Sequence, residues 1–349
     1  MLWVRENIEK FGGDPEKVTL LGHSAGASSV LYHMVSPRTK ALFSRAIMMS
    51  GNLGPVWTER DVIRPSRIIA SILGCFFDSP KEIVMCLREK PSSEILKAFK
   101  TQYQAGNWTD VMVPVVDTFL EETDRFIPVS PKQALSSGNF HQIPILTGLT
   151  NLEATDSIEH WQDLARQGYH QLRHYVDYTA IPNVMASHKL SSSPNTKQIR
   201  EIIKWEYVNR AKEGDSWDLL KQLLLLYSEA QFEAPHEKLL SYLVQTSKPL
   251  YVYRYQETGG VDLYGKQLNS TGAAHSSDLP YLFGPTLFQQ LTRRRLTQQE
   301  ERLSKRMRVM WAEFVKFGYP MSPRQYDAWQ VYTSRDRHVR GLGSGGEGE

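Results

Sequence analysis

Between residues 18 and 27 the chain reads Val18-Thr19-Leu20-Leu21-Gly22-His23-Ser24-Ala25-Gly26-Ala27, and this run leaves the backbone little choice. The apolar residues before Gly22 specify a buried strand, Gly-x-Ser-x-Gly a sharp turn, and the small residues after it a helix start. Such a strand-turn-helix reversal is the setting of a nucleophile elbow, which holds a serine hydroxyl exposed at its tip. Gly22 and Gly26 are expected to be glycine because a Cβ on either side of Ser24 would strike the adjoining strand or helix. Ser24 is therefore the candidate nucleophile.

The flanks extend the pattern. Trp3, Val4, Asn7, Ile8 and Phe11 fall at helical spacing, and Gly12-Gly13-Asp14-Pro15 ends that helix. Ala46-Ile47-Met48-Met49 reads as the next buried strand, ahead of Ser50-Gly51. Helix, strand, elbow, helix, strand is the core of a parallel α/β sheet. A chain of 349 residues, 41% hydrophobic, can bury a large core around it. Residues 219–226 form the most apolar run, but Lys221 and Gln222 interrupt it, so it reads as a buried amphipathic helix. No run approaches the roughly 18 residues of a membrane span. The net charge is +3, and the one dense basic cluster, Arg293-Arg294-Arg295, has no interleaved aromatics, which argues against a nucleic-acid partner. Nothing calls for a cofactor, and oligomeric state is not legible.

The segment Trp3-Val4-x-Glu6-Asn7-Ile8-x-x-Phe11-Gly12-Gly13-Asp14-Pro15-x-x-Val18-Thr19-Leu20, followed by Gly22-x-Ser24-Ala25-Gly26, closely resembles the type-B carboxylesterase and cholinesterase family. Pro114-Val115-Val116-Asp117, Phe232-x-x-Pro235 and Phe314-x-x-x-Gly318-x-Pro320 before Trp329 carry the resemblance along nearly the whole chain. It implies an α/β-hydrolase fold, a mostly parallel central sheet flanked by helices. It also implies an acyl pocket to which Ser50-Gly51 and Trp57 contribute, and a short-loop disulfide between Cys75 and Cys86, the only two cysteines. Two buried thiols are the alternative for that pair.

A serine hydroxyl is a poor nucleophile until a base takes its proton and an acid orients the base. Ten histidines compete for the first role. His170 and His174 stand four apart with no third ligand beside them, which favours a solvated helix face over a metal pair. His23 lies within the elbow, where its side chain is expected to point away from Ser24. His275 lies in Gly272-Ala273-Ala274-His275-Ser276-Ser277-Asp278-Leu279-Pro280, whose small residues leave room for substrate, and the segment resembles the family's catalytic-histidine loop. For the acid, the strand Ile143-Pro144-Ile145-Leu146-Thr147-Gly148 runs into Asn151-Leu152-Glu153, and ligands gather at the C-terminal edge of such a sheet. Glu153 matches the family's spacing, although Leu152 and Ala154 depart from its pattern; Asp156 is the alternative. The order Ser24, Glu153, His275 is that of α/β-hydrolases.

The implied chemistry is hydrolysis of a small carboxylic ester through an acyl-enzyme, with the Ala25 N–H as one oxyanion donor. The family's other donors resemble nothing here, and the resemblance implies that roughly the first third of the fold is missing, so a fragment with impaired activity is expected. Residues 1–335 are expected to form this partial domain, with a helical cap-side region at about 157–245, and 336–349 a disordered tail. Thr297-Gln298-Gln299-Glu300 reads as a capping box opening a helix with Leu303, Met307, Met310, Trp311 and Phe314 on one face and Gly318 at its end. The alternating tyrosines of Leu250-Tyr251-Val252-Tyr253-Arg254-Tyr255 read as a strand that packs. Sequons at Asn107 and Asn269 point with the cysteines to the extracellular space or the secretory pathway, although residues 1–17 contain no export signal. A second function class stays open, because the same family includes neuroligins, which use the fold for adhesion.

Overall fold

The computed structural model describes residues 1–53, 59–104, 114–156, 161–258, 272–321 and 328–343. These fall into two compact units: Met1–Leu31, Ala41–Leu53 and His141–Glu349 form the first, Tyr32–Lys40 and Gly54–Phe140 the second.

The first unit is built on five parallel strands, β1 Thr19–His23, β2 Arg45–Met49, β3 Ile145–Thr150, β4 Leu250–Tyr255 and β5 Val339–Leu342, in the spatial order of the chain. A parallel sheet puts every strand's C-terminal end at one edge, so the residues following β1, β2 and β3 emerge together. The register makes them neighbours: His23 lies opposite Met49, and Met49 opposite Gly148. All six residues of β3 are buried, as expected of a strand covered on both faces.

Helix Gln298–Phe317 is written in its sequence. Thr297 and Glu300 form a capping box, Gly318 ends it at φ 83°, and Leu303, Met307, Met310, Trp311 and Phe314 are buried. Against them pack Tyr251, Tyr253 and Tyr255 of β4 with Trp329, so the alternating tyrosines are core. A second core lies among the helices between Trp161–Arg166 and Ala234–Leu243, where Ser216–Ser228 buries Leu219, Leu220, Leu223, Leu224 and Leu226. Three π-helical turns interrupt these helices, at Val176–Ala180, Lys204–Val208 and Glu229–Glu233.

Two expectations change. Residues 336–349 are not a tail throughout: Val339–Leu342 is β5, which pairs Tyr255 with Leu342 and buries Leu342 completely. Four residues holding an arginine and a glycine show no strand period, and the open edge of β4 recruits them; 344–349 lie outside the described residues. The expected first helix is shorter, Leu2–Asn7 running into a 3₁₀ turn Ile8–Phe11, and Trp3 and Phe11 are exposed at 62% and 72% with their rings 6.2 Å apart.

The second unit includes helices Glu59–Ile72, Pro80–Arg88 and Ser92–Gln104. The Cys75–Cys86 disulfide implied by the resemblance is formed and sits in a small core with Ala70 and Ile83. A core of that size gains much from a cross-link. Closing so short a loop removes about 3 kcal/mol of unfolded-chain entropy. The double substitution Cys75→Ala, Cys86→Ala is expected to speed proteolysis and hydrogen exchange in 70–88 while leaving β1–β4 protected; equal loss of protection in both regions would contradict this.

Candidate active site

The elbow begins where β1 ends. Ser24 has φ 57°, a left-handed conformation that costs a residue with a Cβ roughly 1–2 kcal/mol. Neighbours on both sides impose it: the Ser24 N–H donates to Met49 O at 2.9 Å, extending the β1–β2 ladder, while its carbonyl accepts from Ala27 N at 2.9 Å and Ser28 N at 3.2 Å, opening helix Ala25–Val35. One residue thus ends a strand and caps a helix. A Cβ at Gly22 would lie 2.1 Å from Gly26 O, so this glycine is forced by close approach, whereas a Cβ at Gly26 would meet nothing within 4 Å. The expectation of a clash at both glycines therefore holds for Gly22 alone, since it is the backbone at 26 that crowds position 22. Ala25 is exposed, and its N–H lies in the first helical turn, where amides have no intrahelical acceptor and the helix dipole favours negative charge.

Glu153 opens a 3₁₀ turn, Glu153–Asp156, just past β3. Its side chain is wholly buried, and three donors meet it: Ser50 Oγ and Thr150 N–H each at 2.7 Å from Oε1, and His275 Nδ1 at 2.6 Å from Oε2. The backbone fastens the two loops to each other. Leu152 N–H donates to Ala273 O at 2.9 Å, Leu152 forms a parallel bridge with Ala274, and Ala273 N–H donates to Asn151 Oδ1 at 2.6 Å. A carboxylate that accepts from Nδ1–H fixes one tautomer of the imidazole and leaves Nε2 as its basic nitrogen.

The His275 imidazole, its side chain 18% exposed, packs against two further rings, His23 at 4.6 Å and Phe232 at 5.2 Å between centroids. His23 directly precedes Ser24, so the imidazole stands beside the elbow and the side chain of residue 23 joins the site. Burial, reinforced by the nearby imidazole of His275, pushes His23 down to about 4 against the pull of Glu153, so it is neutral at neutral pH and adds no charge. Ser24 Oγ makes no hydrogen bond to any described residue, so the structure joins acid to base directly and brings base and serine together only through their neighbours. His236 also lies close, but burial pushes it down to about 4 and its Nε2 is 3.0 Å from Thr147 Oγ1, which itself donates to Met48 O; it is a neutral packing residue.

Several participants escaped the sequence. Ser50, tied by resemblance to the acyl pocket, has φ 50° and donates its hydroxyl to Glu153. A polar residue directly after a buried strand beside the elbow strand was the available signal. Asp278, three residues past His275, is fully buried, with Tyr253 OH donating to Oδ2 at 3.1 Å. Phe232 is brought to the imidazole by the π-helical turn Glu229–Glu233, which no local propensity announces. Trp57, Asn107 and Asn269 lie outside the described residues, as does the side chain of Asp156. Among the described residues no group of three or more His, Cys, Asp or Glu is arranged to hold a metal ion, and no helix is long and apolar enough to cross a membrane.

Comparison with known proteins gives this geometry a context. The chain is 27% identical to acetylcholinesterase of Bungarus fasciatus over 338 residues, 95% of this chain and 53% of that protein. It is 29% identical to acylcarnitine hydrolase of Mus musculus over 352 residues, 97% and 56% of the two chains, and 28% identical to neuroligin-2 of Homo sapiens over 339 residues, 96% and 38%. The chain spans between 38% and 56% of the length of these relatives. A family model for the carboxylesterase family matches residues 1–347, and with its parallel sheet, serine elbow and hydrogen-bonded Glu153–His275 pair the chain belongs to that family of α/β-hydrolases.

Proposed function

We propose that this chain is a carboxylic-ester hydrolase that works through Ser24, His275 and Glu153. The carrying observation is the buried Glu153 carboxylate hydrogen-bonded to an imidazole that packs beside the serine elbow. In the reaction His275 Nε2 takes the Ser24 proton as Oγ bonds to the ester carbonyl carbon. The electron pair that moves to the carbonyl oxygen is met by the Ala25 N–H, with the helix N-terminus adding its partial charge. Collapse expels the alcohol, which leaves with the proton from His275, and water repeats the sequence to release the acid. Glu153 keeps its negative charge throughout and offsets the imidazolium, while Ser50 and the Thr150 N–H hold it in place. Small-molecule carboxylic esters are the proposed substrates. The disulfide supports an extracellular or secretory-pathway location.

The similarity to neuroligin-2 favours a second reading, in which the fold serves as a binding surface and the residues at the elbow are inert. Covalent labelling by a fluorophosphonate separates the two. Modification of Ser24 that is lost in His275→Ala supports the hydrolase; a folded chain that resists the probe supports the binding module, and labelling that survives His275→Ala shows that another residue is the base.

A further inference from the structure

Asp278 sits at 0% exposure in the loop that carries His275, against the far end of β4. Its Oδ2 accepts from Tyr253 OH at 3.1 Å, and its Oδ1 has no hydrogen-bond partner among the described residues. The titratable groups that act on it are Tyr253 and Tyr255 of β4, Glu153 past β3 and His275 of its own loop. The site therefore contains two wholly buried carboxyl groups within electrostatic reach of one imidazole.

Two such groups cannot both ionise cheaply in a water-excluded site, so one keeps a proton at pH values where free carboxylic acids have lost theirs. Which one keeps it follows from their partners. Glu153 accepts three hydrogen bonds through its two oxygens, and each favours its anion. Asp278 accepts from Tyr253 at Oδ2, with its own backbone N–H as a lesser contribution, and its Oδ1 has no hydrogen-bond partner among the described residues; a buried anionic oxygen without a partner is expensive, while a neutral carboxyl is far less so. Burial first, and then the negative charge of Glu153, raise Asp278 to about 7, against the opposing pull of Tyr253, His275 and its own backbone N–H.

Resting on the hydrolase reading above, we propose that Asp278 is a positioning residue of the Ser24 site, the member of a buried two-carboxyl cluster that carries the proton, so that Glu153 bears the sole negative charge and holds His275 as its Nδ1–H donor. Loss of that proton as pH rises adds a second negative charge beside the imidazole and changes its basicity.

The test is the pH dependence of fluorophosphonate labelling in wild type and Asp278→Asn, whose amide imitates the neutral acid in shape and charge. Asp278→Asn is expected to keep the acid limb of its labelling profile unmoved and to lose a second inflection, near 7, that wild type is expected to show. An acid limb displaced downward by about one unit or more shows that Asp278 was already ionised, and superimposable profiles show that it does not act on the base; either overturns the proposal. A second readout is independent of activity. Infrared difference spectra of wild type against Asp278→Glu, at pH 6 and pH 9, are expected to show a buried protonated carboxyl at the lower pH that changes frequency with the substitution, and absence of that band overturns the proposal. Absence of labelling in wild type with the band present refutes the hydrolase reading and the positioning role together while leaving the buried proton established, so the two failures are told apart.

Discussion

Ser24→Ala is expected to abolish fluorophosphonate labelling and to lower turnover of an activated aryl ester to the uncatalysed rate, a fall of up to about 10⁶-fold, the scale on which nucleophile loss acts in serine hydrolases. The expectation rests on the position of the residue. Ser24 is held in a left-handed conformation by hydrogen bonds to a strand on one side and a helix on the other, a cost the backbone bears with no evident packing return from a half-buried hydroxyl. His275→Ala should fall by a comparable factor, because serine without a base and base without a serine leave the same residual chemistry, and the double variant should fall no further. Liquid chromatography with mass detection of the labelled peptide, alongside the hydrolysis rate, checks both. Undiminished hydrolysis by Ser24→Ala would place the nucleophile elsewhere. The uncatalysed hydrolysis of the ester sets the floor to which both variants should fall, so the size of the drop scales with the activity of the parent chain.

Gly22→Ala is expected to be the most damaging single-methyl addition in the first unit, and Gly26→Ala, four residues on in the same motif, one of the mildest. A Cβ at Gly22 would stand 2.1 Å from Gly26 O, 2.3 Å from Gly26 C and 2.7 Å from Ala27 N. All three are backbone atoms of the elbow helix, so no rotamer change can relieve the overlap and β1 and the helix must part. The loss should exceed about 4 kcal/mol, the range reserved for overpacking with no exit. At Gly26 the added methyl meets open space, and replacing a helical glycine by alanine should gain about 0.5–1 kcal/mol. Urea unfolding followed by circular dichroism measures both. Equal effects at the two positions would mean that the tight approach of helix to strand at the elbow is not real. Gly148 belongs with Gly22, since its Cβ would fall 2.3 Å from Tyr253 O.

The legible part of this protein is its local part. The elbow could be read because strand, glycine, serine and helix start lie within ten residues and each constrains the next. Helix Gln298–Phe317 could be read because a capping box, an apolar face and a glycine stop are all short-range signals. The Glu153–His275 pair was reached through resemblance to a family, since nothing local links residues 122 apart in sequence. The Ser50 hydroxyl donates to Glu153, 103 residues away, a role that the resemblance to an acyl-pocket stretch does not announce. The elbow pattern places the His23 side chain away from Ser24, whereas its ring packs against the base.

What the sequence by itself determined is therefore where the chain turns, where it runs straight, and which side chains could do chemistry at the C-terminal edge of a parallel sheet. The tertiary structure decided which of those side chains meet. Ordering the strands by position in the chain put the ends of β1, β2 and β3 side by side, which delivered Ser50 and Glu153 to the elbow, and the bridge from Leu152 to Ala274 brought His275 to its acid. It also turned 339–342, unremarkable in composition, into the fifth strand and buried Asp278 with no partner for its Oδ1 among the described residues. The reason is physical: backbone conformation responds to neighbours a few residues away, whereas burial, pairing and protonation respond to whatever folding places nearby, and that depends on the whole chain.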